Sequence, residues 1–219
     1  MRPPTTVVTT GPGDTIVLAA GATYLAPSGG YVLPAKSNPN NQWIVLRTSD
    51  LTNLPAAGTR VSPGNAAALP KIQSRDVSPA LTTAAGASYW RLIGIEVTLK
   101  PDAFADATTV SAPINYGLVV LGSHSERNAA NLASDIIIDR CYIHGQPRKN
   151  VRRGVTINSR RTAIIDSYLS EIHELGSDSQ ASATDRWPHP TGAWSARRGD
   201  ASCSRRARGT DRGTRRRHT

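Results

Sequence analysis

The sequence holds two cysteines, one methionine and one phenylalanine in 219 residues, and aromatic residues make up 5% of it. Two cysteines, Cys141 and Cys203, cannot build a disulfide framework, and Cys141 falls on an apolar position where a small buried thiol is expected. No stretch approaches the roughly 18 apolar residues of a helical membrane span. The opening MRPPTTVVTT has no apolar core of a secretory signal, so the protein is either cytoplasmic or its native N-terminus lies further upstream. A phosphate-binding Walker loop, a dinucleotide fingerprint and zinc-ligand spacings are all missing. From Ser182 to Thr219 there is no Val, Ile, Leu, Met, Phe or Tyr at all. Such a segment cannot bury a core, and a disordered tail is expected there.

Charge divides along the same line. The chain carries a net +10, but ten Arg against three Asp after residue 181 account for +7 of it, leaving +3 for residues 1–181. Nucleic acid is therefore not an expected partner of the folded part. Three readings of the tail stay open: an arm for nucleic acid or another anionic surface, a solvated tail, or an out-of-frame translation of GC-rich DNA that cut a longer protein short.

What is present is a repeat. The segments Trp90–Thr98, Ile136–His144 and Thr162–Ser170 align in columns: Trp90, Ile136 and Thr162 first, Leu92, Ile138 and Ile164 third, Ile95, Cys141 and Ser167 sixth, Val97, Ile143 and Leu169 eighth. Apolar positions 1, 3, 6 and 8 fit no helix. They fit two short strands meeting at a bend, each pointing alternate residues inward. A further strand type, Gly117–Leu121 and Gly154–Asn158, follows each of the first two copies, with Leu118 and Val120, then Val155 and Ile157, expected to face in. Two strands, a loop and a third strand per turn describe one coil of a parallel β-solenoid. The first two copies lie 46 residues apart and the next two 26, and the extra length falls in the loop-like compositions of Lys100–Asn115 and Ser123–Ser134.

With PGDTIVL and GATY at residues 12–24, this pattern resembles the opening and stacked coils of right-handed parallel β-helix proteins, the pectin-lyase-like superfold. The resemblance covers roughly residues 13–181. It implies an all-β, single-stranded right-handed parallel β-helix of about five or six coils over residues 1–181, followed by the basic tail 182–219. It also implies a secreted or cell-surface protein that acts on or binds an extended, acidic polysaccharide, as a lyase or glycoside hydrolase, with a non-catalytic adhesion or polysaccharide-binding scaffold as the alternative. Pro147–Arg153 has the residue types of the pectate lyases' Arg-x-Pro-x-x-Arg run in another order, and the Asn-Thr-Asp, Asp-Asp and Gly-His-Gly segments of the β-helix hydrolases are missing. No catalytic residue is carried over from either group. No cofactor is expected; calcium is what the resemblance alone would add, with Asp135, Asp139 and Asp178 as carboxylates in number only.

The residues themselves give these candidates. Stacking the columns at ~4.8 Å would place Arg140 over Asp166 and Tyr142 over Tyr168, both on the outer surface. Tyr142 and Tyr168 could take the apolar faces of sugar rings, with Arg152 and His144 beside them, or simply stabilise the stack. Glu171 and His173 lie in the densest polar cluster, with Glu174 and Asp178, and supply a carboxylate and an imidazole for acid and base work on a glycosidic bond. Arg153 could neutralise a uronate carboxylate. Each also has a plain role in a loop or coil rim. The last coil is expected to lack its third strand, which would leave an open end prone to pair with another chain.

Overall fold

The computed structural model describes residues 10–183. The expected disordered tail lies outside the described residues from Thr184 onward. The described chain is a succession of short strands with two 3-10 turns, at Pro63–Ala68 and Ala129–Asn131, and no α-helix. The first two circuits are β1 (Thr15–Leu18), β2 (Thr23–Leu25) and β3 (Tyr31–Leu33), then β4 (Ile44–Thr48), β5 (Lys71–Ser74) and β6 (Leu81–Thr83). The third and fourth add a short strand each: β7 (Ser88–Ile93), β8 (Glu96–Leu99), β9 (Ile114–Asn115) and β10 (Val119–Leu121), then β11 (Ser134–Asp139), β12 (Tyr142–His144), β13 (Asn150–Val151) and β14 (Arg153–Ile157). The fifth is β15 (Arg160–Ile165), β16 (Tyr168–Ser170) and β17 (Gln180–Ala183).

These strands form three five-stranded parallel sheets: sheet A in the order β1-β4-β7-β11-β15, sheet B β2-β5-β8-β12-β16 and sheet C β3-β6-β10-β14-β17, with β9 and β13 as a small fourth pair. The chain thus visits A, B and C in turn five times. This order is compatible with a β-helical solenoid and agrees with the expected all-β class. The ladders confirm the columns read from the sequence. Ile136 pairs with both Trp90 and Thr162, Ile138 with Leu92 and Ile164, and Ile143 with Val97 and Leu169. The side chains of Trp90, Leu92, Val97, Ile136, Ile138 and Ile143, with Ile44, Leu46, Ile72, Leu81, Val119 and Val155, form one continuous buried core, against which Ile164 and Leu169 pack partly covered. Burying each such aliphatic is worth roughly 1.5–3 kcal/mol.

The break in alternation has a backbone cause. Gly94, Arg140 and Asp166, which share the fifth column, all adopt left-handed backbone, at φ 62°, 46° and 50°. One residue in that region turns the chain from sheet A to sheet B at the cost of a single unfavourable conformation.

Three expectations are corrected. In sheet C, Val119 pairs with Val155 and Leu121 with Ile157, so Val119 and Leu121 face the core and Val120, expected inward, pairs with Thr156, while Leu118 is buried in the core as expected. Counted from the β9–β13 pair, where Asn115 lies opposite Val151, Gly117 comes opposite Arg153 and Leu118 opposite Gly154; matching Gly117 to Gly154 therefore slips the register by one. The last coil does have its third strand: Gln180, Ser182 and Ala183 pair with Arg153, Val155 and Thr156. Small polar residues carry it, since a ladder needs only backbone. Finally, Arg140 does not pair with Asp166. Its guanidinium donates to Asp139 (2.9 Å) and to the carbonyl of Pro55 (3.0 Å), while Asp166 accepts from Gly58 N–H (2.6 Å).

Candidate functional site

Sheet B turns alternate residues outward, and two outward columns follow from its registers. One runs Thr23, Lys71, Glu96, Tyr142, Tyr168, and the other includes Leu25, Gln73, Thr98, His144 and Ser170. The middle of this face is a network of charges. Lys71 Nζ and His144 Nε2 each donate to Glu96 Oε1 at 2.9 Å, and the side chains are 34%, 15% and, for Glu96, 2% exposed. The second oxygen of Glu96 is buried with no bonding partner. His144 Nδ1 lies 2.8 Å from the carbonyl of Gly145 and its ring stacks on Tyr142 with centroids 4.2 Å apart. His144 Nδ1 also lies 3.3 Å from the hydroxyl of Thr98. Burial raises the pKa of Glu96, but the hydrogen bonds from His144 and Lys71 outweigh it and hold the carboxyl below its ordinary range.

The loop between β4 and β5 lies over the end of this face. Leu54, Val61 and Leu69 make a second apolar cluster against Ile93, Tyr142 and Tyr168, and Arg60 stands 5.4 Å above the Tyr168 ring. Tyr142 and Tyr168 are ladder partners, their rings tilted with centroids 5.7 Å apart. They are half-buried, which corrects the expectation of a bare aromatic wall. Such a loop lowers the contact area the rings offer but leaves cationic Arg60, itself exposed, and Lys71 at their margins.

The other candidates gather where the same coils turn towards sheet C. Arg152 donates twice to Glu174 at 2.6 Å, and its guanidinium lies 4.8 Å from the centre of the exposed Tyr116 ring. Val151 N–H donates to the carbonyl of His173 (2.7 Å), and Arg153 heads β14 next to it. Glu171 sits in left-handed backbone (φ 53°) on an exposed turn, stacked beside Gly145, and no ion pair to its carboxylate occurs among the described residues. The structure thus brings Arg152, Arg153, His173 and Glu174 into one neighbourhood, and places His144 apart from them, on Glu96.

Lys71, Glu96, Arg60 and Tyr116 were not legible as site residues. For Lys71 and Glu96 the signal existed: aligning Lys71–Ser74 under Glu96–Leu99 puts a cation on an anion. Arg60 and Tyr116 sit in loops whose path no periodicity fixes.

The remaining buried carboxylates are neutralised in the same way. Asp139 takes Arg91 (2.6 Å) and Arg140 (2.9 Å), and Asp135 takes Arg161 twice at 2.5 Å. Neither is free for calcium, and no three His, Cys, Asp or Glu residues converge as metal ligands among the described residues. A cleft of about 350 Å³ lies between Asp50, Asn53, Asn65 and Ala68, and one of about 240 Å³ between Pro101, Gln146, Arg148 and Lys149. The first is lined mainly by polar surface, unlike the apolar pockets that enclose small molecules. No described helix is long and apolar enough to cross a membrane. No family model, curated protein or solved structure matches this chain.

Proposed function

We propose that the chain is a right-handed parallel β-helix of the pectin-lyase-like kind that holds an extended acidic polysaccharide across the outer face of sheet B and the adjoining turn. The observation that carries this reading is the set of rings with cations near them: Lys71 one coil beyond Glu96 from Tyr142 and His144, Tyr168 under Arg60, and Tyr116 under Arg152. Aromatic faces take the apolar faces of pyranose rings, and cations at their margins take carboxylates. Parallel strands ~4.8 Å apart set a repeat along which a polymer can lie without an enclosed pocket. Such a ligand belongs outside the cell, which makes a secreted or surface-bound protein the matching setting.

Holding is favoured over cleaving by one observation. Glu96, Asp139, Glu174 and Asp135 are each bonded to a cation, and a carboxylate fixed in that way is a poor general acid. Cleavage of lyase or hydrolase type would fall to Glu171 and His173, with Arg153 at a uronate. Affinity electrophoresis through polygalacturonate, with the same mixture assayed for unsaturated uronide, separates the outcomes. Retarded migration without uronide supports the binding scaffold, uronide release supports a lyase, and unchanged migration overturns the proposal.

A further inference from the structure

The two ends of the stack match one another. At the C-terminal end the last strands of sheets A, B and C are β15, β16 and β17, and no described strand pairs with their outer edges. Residues in the inward columns that are buried one coil earlier are only partly covered here: Ile138 against Ile164, and Ile143 against Leu169. At the N-terminal end the outer strands are β1, β2 and β3. Ile16, Tyr24 and Tyr31 are partly covered, and the outward Val17 and Val32 are 48% and 54% exposed. Both ends present parallel edges of three short strands in the same sheet order, the arrangement most apt to recruit another strand.

The columns make the match specific. Following the registers from one end to the other puts Ile16 in the column of Ile164, through Leu46, Leu92 and Ile138. Tyr24 shares the column of Leu169, through Ile72, Val97 and Ile143. Tyr31 shares that of Ser182, through Leu81, Val119 and Val155. A second copy set down with β1, β2 and β3 on β15, β16 and β17 continues these three columns with an apolar or small residue. Asp14, which precedes Thr15, continues the column of Ile44, Trp90, Ile136 and Thr162.

From this we infer that copies of the chain stack head to tail, the first coil of one molecule on the last coil of the next, each described end covering the other. Because this contact is heterologous and does not close, it produces open filaments and not a fixed dimer. The inference is independent of the polymer reading, since it uses only the ladders and the burial at the ends.

The test uses the full chain with Cys203→Ser, carrying Thr15→Cys, Ala163→Cys or both. Thr15 and Ala163 occupy one outward column through Val45, Arg91 and Ile137, so in a stacked pair their Cα atoms come within the span of a disulfide, ~4.4–6.8 Å. Under mild oxidation the double variant gives a ladder of covalent multimers, and the two single variants, mixed, give a mixed dimer. Sedimentation of the unmodified chain shows mass growing with concentration. A single monomeric species at every concentration overturns the inference. So does association in which Ala163→Cys links only to itself, since that is tail-to-tail pairing. Circular dichroism of each variant confirms the β content is retained, so a failure to link is not a failure to fold.

Discussion

Glu96 and His144, 48 residues apart in sequence, meet at 2.9 Å on adjacent coils, with Lys71 on the same carboxylate oxygen from the coil on the other side. The trio welds three coils through side chains on a face whose backbone ladder already joins them. Removing the anion alone leaves the Lys71 ammonium and the His144 Nε2–H with no partner there. Glu96→Ala is expected to cost roughly 2–4 kcal/mol, the lower part of the range for a broken buried pair because Lys71 is a third exposed. Denaturant unfolding measures it, and Glu96→Ala with Lys71→Met should recover part of the loss.

The same carboxyl makes stability depend on acid. Its pKa is held below the ordinary 4.5, so the unfolded chain binds the proton more readily. The stabilisation is complete above about pH 4.5 and is lost as the pH falls through the lower folded value. Asp135, against Arg161, acts in the same direction: burial opposes the shift and the arginine's hydrogen bonds outweigh it. Unfolding free energy measured from neutral pH downward should fall below that point, and the slope should be shallower in Glu96→Gln.

Cys141 is fully enclosed, and burial pushes its thiol up to about 12. In a Cys203→Ser chain a thiol reagent at neutral pH should leave Cys141 unmodified until the protein unfolds. Modification at the rate of a free thiol would show that the sixth column is not packed as described.

Gly94 is fixed at the turn between β7 and β8. Its φ is 62°, and a Cβ there would stand 2.6 Å from a methyl of Leu54. Gly94→Ala therefore combines a left-handed alanine with displacement of the loop over the tyrosines, and roughly 1–3 kcal/mol of destabilisation is expected in thermal or denaturant unfolding.

Much of the stacking was legible because it is written in columns. Trp90, Ile136 and Thr162 align by eye, and the ladder pairs them. Tyr142 on Tyr168 followed from the same alignment. The strand β6 was missed because Leu81–Thr83 offers one large apolar residue, and β17 because Gln180–Ala183 offers none. The inward Val119 and Leu121 of β10 cannot be read from the glycines, because Gly117 stands one place earlier in its coil than Gly154, opposite Arg153. The site suffered most from the loops. Leu54, Val61 and Leu69 share no period, so nothing in the sequence says that they close over Tyr142 and Tyr168 or carry Arg60 to the ring. Arg140 was expected on Asp166 from column position alone, but a left-handed residue aims its side chain off the column, towards Asp139 and Pro55.

The claim that sheet B and its adjoining turn hold an acidic polymer is tested most directly by hydrogen exchange on the full chain with and without polygalacturonate. The account predicts slower exchange in the loop around Arg60 and in the segments 145–148 and 171–175, with salt reversing it. Unchanged exchange in those segments, or slowing confined to the arginine-rich residues after 183, would contradict it and place any polymer binding on the basic segment instead.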